Sequence, residues 1–132
     1  MTLPRFLSQA APIAARLVLG LLFTVTGLNG FLDFLPRPTA PMPEGAAAFA
    51  GAMMKTGYLL QLVAGTQVVA GVLLLLGRFV PLALTLLAPV IVNIICFHVF
   101  LLPSGIGPGM VALVLELYMA WTRRAAFRTL FG

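Results

Sequence analysis

The chain has 132 residues, 61% of them hydrophobic, with 8 Lys+Arg and 3 Asp+Glu and a mean hydropathy of +1.11. A soluble domain spends about a quarter of its residues on charge; at 8% charged this chain cannot cover a globule with polar surface, so its solvent is largely lipid. That excludes a soluble enzyme, a zinc finger and a disulfide scaffold, and the single cysteine excludes an intrachain disulfide or a Cys-x-x-Cys redox pair.

Four apolar segments, separated by charge or proline, predict an all-α membrane protein: an antiparallel four-helix transmembrane bundle forming one domain over residues 1–132. The first segment, residues 17–32, lies between Arg16 and Asp33, and its length of ~24 Å spans a bilayer if Arg16 snorkels and the helix extends to about 14–35. No small-residue cleavage site follows it, so it reads as retained rather than as a signal peptide. Next comes an outer loop with Pro36, Pro38, Pro41 and Pro43, which predicts extended, polyproline-like chain. EGAAAFAGAMMKTGY then predicts a short helix on the outer membrane surface, with Phe49 and Met53 on one face, as a lid over the bundle or as a plain spacer.

The second span is expected at about 57–77 and the third at 80–102, each within an uncharged run long enough to cross ~30 Å of hydrocarbon. Pro89 predicts a kink in the third. The fourth, about 106–122, is apolar except for Glu116, ends with Tyr118 and Trp121 as interface anchors, and is closed by Arg123 and Arg124. Gly20, Gly27, Gly30, Gly65 and Gly71 predict close helix approach, and Cys96 reads as a small core residue.

An even number of spans puts Arg5, Arg16, Arg78, Arg123, Arg124 and Arg128 on one side, against Arg37 and Lys55 on the other. By the positive-inside rule both termini are expected in the cytoplasm of a bacterial cell. The basic residues are therefore topology signals, and no nucleic-acid partner is expected despite the net charge of +5.

Polar residues inside spans must face the bundle, water or a ligand. Asn29, Gln61, Gln67, Asn93, His98 and Glu116 all fall in the outer half of the membrane or at its middle, which predicts a polar ligand cavity opening outward. Around their helices Asn93 and His98 stand about 140° apart, and Gln61 and Gln67 about 120°, so either member of a pair is free to turn to a neighbouring helix. Glu116 reads as a proton-binding or relaying acid paired with Gln67, or as a neutral acid making one interhelical hydrogen bond. His98 reads as a structural histidine, a proton carrier or a hydrogen bond to a quinone carbonyl; a metal site lacks further ligands at helical spacing. Met42, Met53, Met54 and Met110 near the outer side are thioethers suited to Cu(I), but without a repeated Met-x-x-Met pattern. No phosphate loop, nucleophile elbow or carboxylate pair is present in the sequence.

RLVLGLLFTVTGLNGF, TGYLLQLVAGTQVVAGVLLLLGRFVPLAL and APVIVNIICFHVFLLPSG together resemble the DoxX-like membrane proteins. The resemblance implies four transmembrane helices in a bacterial inner membrane. It also implies association with a thiosulfate-oxidising quinone oxidoreductase in the founding members, with redox or thiol-stress complexes in others, and with membrane-protein assembly in distant animal relatives. Asn29, Gln67, Asn93 and His98 fall at the pattern's polar positions, as ligand contacts rather than catalysts. Gln67 stands where many relatives have glutamate, and Asn29-Gly30 where a Gly-Lys pair is frequent, so this chain carries less charge there. Three functions follow as expectations. The first is a non-catalytic accessory subunit of a redox complex, binding a quinone or a membrane lipid. The second is an assembly module for another membrane protein, and the third a small transporter working as a homo-oligomer.

Overall fold

Thr2 is extended at φ −74, ψ 149, and the proline that follows in the first helical turn is pre-set for a helix start, so α1 runs Leu3–Leu32. The computed structural model describes residues 2–132. At 30 residues, α1 is ~45 Å long and exceeds the ~30 Å hydrocarbon core, so its first turns project beyond it. Asp33 ends the helix in the left-handed region, at φ 49, with its N–H on Asn29 O at 2.9 Å. Phe34 and Leu35, counted with the first span from sequence, lie outside the helix.

Residues 33–43 form neither helix nor strand, and Pro43 stands in the polyproline region at φ −54, ψ 150. α2 follows at Glu44–Lys55, with its acid in the first turn and its base in the last, both complementary to the helix dipole. Thr56 joins α2 to the next helix: its hydroxyl donates to Met53 O at 2.7 Å and accepts from Leu59 N at 3.0 Å. α3 occupies Leu59–Leu76, α4 Val80–Phe100, and, after a single 3-10 turn at Pro103–Gly105, α5 Ile106–Thr122; a short α6 lies at Arg124–Arg128. α4 continues through Pro89.

Four of these helices are long and apolar enough to cross a membrane. They form a closed ring in which α1 packs on α3 and α5, and α4 on α3 and α5. The protein is thus a multi-pass membrane protein with an all-helical four-helix bundle and a short additional helix in the first loop. The inward residues follow helical spacing: Ala15, Leu19 and Phe23 on α1, Ala70 and Leu74 on α3, Val80, Leu84, Leu87 and Ile91 on α4, and Ala112 and Met119 on α5. The outside is equally apolar, with Leu21, Leu62, Val69, Leu82, Val92, Val114 and Leu117 all exposed. In water that exterior would drive aggregation; in a bilayer it is the lipid-facing surface. Cys96 belongs to this exterior and not to the core, because the residues that α4 buries, Leu84, Leu87 and Ile91, turn a different face inward.

One end of the bundle carries α2 and the α4–α5 connection, here termed the lid end; the other carries both termini and the α3–α4 turn. At that second end Gly77 closes α3 at φ 69, with Arg78 N on Leu73 O at 3.1 Å and Gly77 N on Leu74 O at 3.2 Å. Arg16 reaches across from α1 and donates to the carbonyls of Leu74 and Leu75, the latter at 3.3 Å. A Cβ on residue 77 would sit 2.7 Å from the Arg16 guanidinium, so glycine serves here both the backbone turn and the close approach. A cation on the last carbonyls of a helix offsets the dipole and satisfies acceptors that no water reaches in lipid. Arg16→Gln is expected to destabilise the folded bundle by about 1–3 kcal/mol, read as a lower midpoint in thermal melts in detergent, with Arg16→Lys recovering part of the loss.

Candidate functional site

The polar residues of the spans are distributed over five places. Asn29, at the lid end of α1, turns back on its own chain: its Oδ1 accepts the Leu35 backbone N–H at 2.8 Å and holds the start of the proline loop. Gln67 faces α1, where its carboxamide Oε1 lies 3.3 Å from the Thr26 hydroxyl, whose single proton also has Leu22 O as an acceptor at 2.8 Å. Gln61 is exposed and lines an open hollow of 360 Å³ on the outer face of α3 and α4, together with Gly65, Thr66 and Leu86. The 120° between the two glutamines is therefore enough to send one to α1 and the other toward α4.

Glu116 stands apart from all of these. It lies on the inward face of α5 with Ala112 and Met119, is only 7% exposed, and its Oε2 has no hydrogen-bond partner among the described residues. Gln67, expected as its partner from matching depth, is engaged at Thr26 instead. Equal depth brings two side chains together only when both also point the same way around the bundle.

Asn93 and His98 do share a place. Together with Ile94 and Phe97 they form one wall of a 260 Å³ cavity at the lid end, whose other wall is Phe49, Ala50, Met53 and Met54 of α2, with Leu60 of α3. α2 packs on the bundle with Ala46 fully buried, and it meets the end of α4 at Gly45, where a Cβ would be 3.2 Å from the Leu101 side chain, and at Phe49, whose ring centre is 5.5 Å from that of Phe97. Ala46, Phe49, Ala50 and Met53 recur at three- and four-residue spacing and so present one helix face to the bundle. The cavity lining is apolar and aromatic except for the Asn93 carboxamide and the His98 ring. A hollow of this kind takes a molecule with a flat apolar body and a few polar atoms.

The His98 ring is fixed in place on three sides. Its Nδ1 lies 2.9 Å from Leu102 O, its plane stands edge-on to Phe97 at 5.2 Å and 85°, and Gly105 comes so near that a Cβ there would fall 2.6 Å from Cε1. Leu102 O also accepts the Gly105 N–H at 3.2 Å, so the histidine, the end of α4 and the 3-10 turn form one hydrogen-bonded unit. Phe97, Ile94 and Leu102 were not singled out from sequence. Their signal is spacing: Phe97 is four residues after Asn93, His98 four after Ile94, and Leu102 four after His98, so each pair shares a helix face or its continuation.

A family model described as DoxX matches residues 11–101. That stretch runs from the first span through the end of α4 and includes the whole cavity wall. Neither curated proteins nor solved structures give a match.

Proposed function

The chain belongs to the DoxX family, and from that premise we propose that it is an accessory, non-catalytic membrane subunit that holds a quinone-type or similarly amphipathic lipid ligand in the cavity beneath α2. The observation that carries this reading is the convergence of Asn93 and His98, two groups that require partners in lipid, on a cavity otherwise walled by Phe49, Met53, Met54 and Phe97. Aromatic rings and thioethers suit a flat ring, the two polar groups suit its oxygens, and the lipid outside accommodates a tail. Arg5, Arg16, Arg78, Arg123, Arg124 and Arg128 at the termini end, against Arg37 and Lys55 near the lid, support an orientation in a bacterial inner membrane with the termini cytoplasmic and the cavity opening outward.

The test is to purify the protein in native lipid discs, extract it, and identify the retained small molecules by mass spectrometry. A quinone-type molecule is expected in the wild type and in Gln67→Leu, whose side chain lies away from the cavity, and is expected to fall at least about tenfold in His98→Ala. Bulk lipid alone, the same in all three, overturns the reading.

Gln61 favours a second reading, as an assembly module. An exposed amide beside Thr66 and Gly65 in the open hollow between α3 and α4 is the kind of group that bonds a neighbouring transmembrane helix. Gln61→Leu should then release a co-purifying membrane protein while leaving the cavity ligand in place.

A further inference from the structure

We infer that the first turns of α1, residues 3–12, are an amphipathic arm that lies on the surface of the protein's own membrane at the termini end, with its apolar stripe in the boundary between lipid headgroups and acyl chains. The arm is remote from the cavity and independent of it. Arg16 marks where the bundle ends on α1, because its guanidinium reaches the last carbonyls of α3 at Leu74 and Leu75. The helix nevertheless begins only at Leu3, so ten more residues, about 15 Å of helix, lie beyond that level, and residues 2–9 are all exposed.

The arm has two unlike faces. At about 100° per residue, Leu3, Phe6, Leu7 and Ala10 fall within one arc of about 100°, and Arg5, Ser8 and Gln9 within another of about 100° on the opposite side. Leu3, Phe6 and Leu7 are each more than half exposed, an apolar stripe that water does not tolerate as a free surface. Two observations assign the stripe to lipid. Ile13, Leu17 and Leu21 continue it along the same face of α1 and are themselves exposed, so it extends the lipid-facing exterior of the bundle and not the core face, which Ala15, Leu19 and Phe23 occupy. Charge agrees: Arg5 is the arm's one charged residue and shares its end with Arg16, Arg78, Arg123, Arg124 and Arg128, while the exposed acids among the described residues, Asp33 and Glu44, are at the lid end. That end is complementary to anionic phospholipid headgroups.

A helix running straight on would carry the stripe off the membrane into water, and Pro12 supplies the bend. It stands inside α1, has no N–H for the Ser8 carbonyl, and its ring presses on that carbonyl, so the helix opens on the proline side and leans away from it. Pro12 stands about 170° around the helix from the centre of the stripe. The lean is therefore toward the stripe, which lays that face down on the leaflet.

The experiment introduces Phe6→Cys, Leu7→Cys, Ser8→Cys and Gln9→Cys one at a time into the full chain carrying Cys96→Ser, and labels each cysteine with a small fluorophore. All four positions are exposed, so each variant is expected to melt like the parent. In lipid discs of phosphatidylcholine and phosphatidylglycerol, quenching is read with iodide from the water and with acyl-brominated phospholipid from the membrane. Labels at 6 and 7 are expected to be quenched at least about threefold more by the brominated lipid than labels at 8 and 9, with the order reversed for iodide. Iodide reaching all four labels alike overturns the inference, because the arm then stands in water. Labels at 6 and 7 shielded from both quenchers also overturn it, because protein, a second copy of this chain included, then covers the stripe.

Discussion

Gly71→Leu is expected to abolish the folded bundle, and even Gly71→Ala to destabilise it by about 1–3 kcal/mol. The cause is the closeness of α1 and α3. A Cβ at residue 71 would lie 2.6 Å from the Thr24 backbone nitrogen, 2.8 Å from Gly20 O and 2.4 Å from the Thr24 hydroxyl. Two of these three atoms are backbone, and the hydroxyl is itself tied to Gly20 O at 2.7 Å, so no flexible side chain can move aside; the helices must separate. The seam continues on the α1 side, where a Cβ on Gly27 would be 2.8 Å from Ala64 O and 2.9 Å from Val68 N. In a bilayer, helices gain nothing from hiding apolar surface from each other rather than from lipid, so close van der Waals approach is the main attraction holding them. Separation by one methyl therefore removes attraction along the whole seam. The check is thermal unfolding in detergent of Gly71→Ala, with Gly71→Leu scored for loss of the folded species. As a control, Gly51→Ala meets nothing within 4 Å and should leave the midpoint in place.

Glu116→Met is expected to raise stability by about 1–3 kcal/mol, and Glu116→Lys to prevent accumulation of folded protein. Oε2 of Glu116 is buried without a partner among the described residues, and an unpaired buried polar group costs about 1–3 kcal/mol, which a methionine of similar volume removes. The lysine instead sets an ammonium among Ala112, Met119 and the other buried residues of the core, where it finds no acid: Asp33 and Glu44 both lie at the lid end and are exposed. Insertion of a lysine at a helix centre alone costs about 2.5–3.5 kcal/mol. Melting midpoints and folded yield of both variants check this. A methionine variant less stable than the wild type would show that the carboxyl is bonded to a bound molecule or a partner, and would move the search for function from the cavity to the inward face of α5.

The parts of the architecture that depend on length and hydropathy were legible before any coordinates. Four spans, the short helix after the proline loop and the tight Gly77-Arg78 connection follow from where charge, proline and glycine interrupt apolar runs, and these signals act locally. The glycines of α1 and α3 were legible as a class, although only the packing shows that Gly20, Gly27 and Gly71 lie on the seam while Gly51 and Gly107 meet nothing. The candidate site was legible as a list of residues and their depths, but not as a place. Counted along the chain, Asn29, Gln61, Gln67, Asn93, His98 and Glu116 are all expected in the outer half of the membrane or at its middle, yet Asn29 holds Leu35, Gln67 meets Thr26, Gln61 lines a lipid-facing hollow, and Glu116 is sealed in the core. Only Asn93 and His98 join one cavity.

The reason lies in what each kind of information measures. Depth in a bilayer is additive along a helix, at about 1.5 Å per residue, so it can be counted from the chain, as can the class of protein that 8% charge permits. Azimuth is not additive across helices: in these spans apolar residues surround the whole circumference, lipid and core are equally apolar, and no amphipathic stripe marks the inward face. Which side of α4 turns inward was settled by the fit of glycine, alanine and leucine surfaces around the ring, and that fit exposed Cys96 and placed Asn93 and His98 under α2. The contact of His98 Nδ1 with Leu102 O is further still from the chain's own signals, for it depends on a carbonyl four residues away lying toward the ring beside the 3-10 turn at Pro103–Gly105.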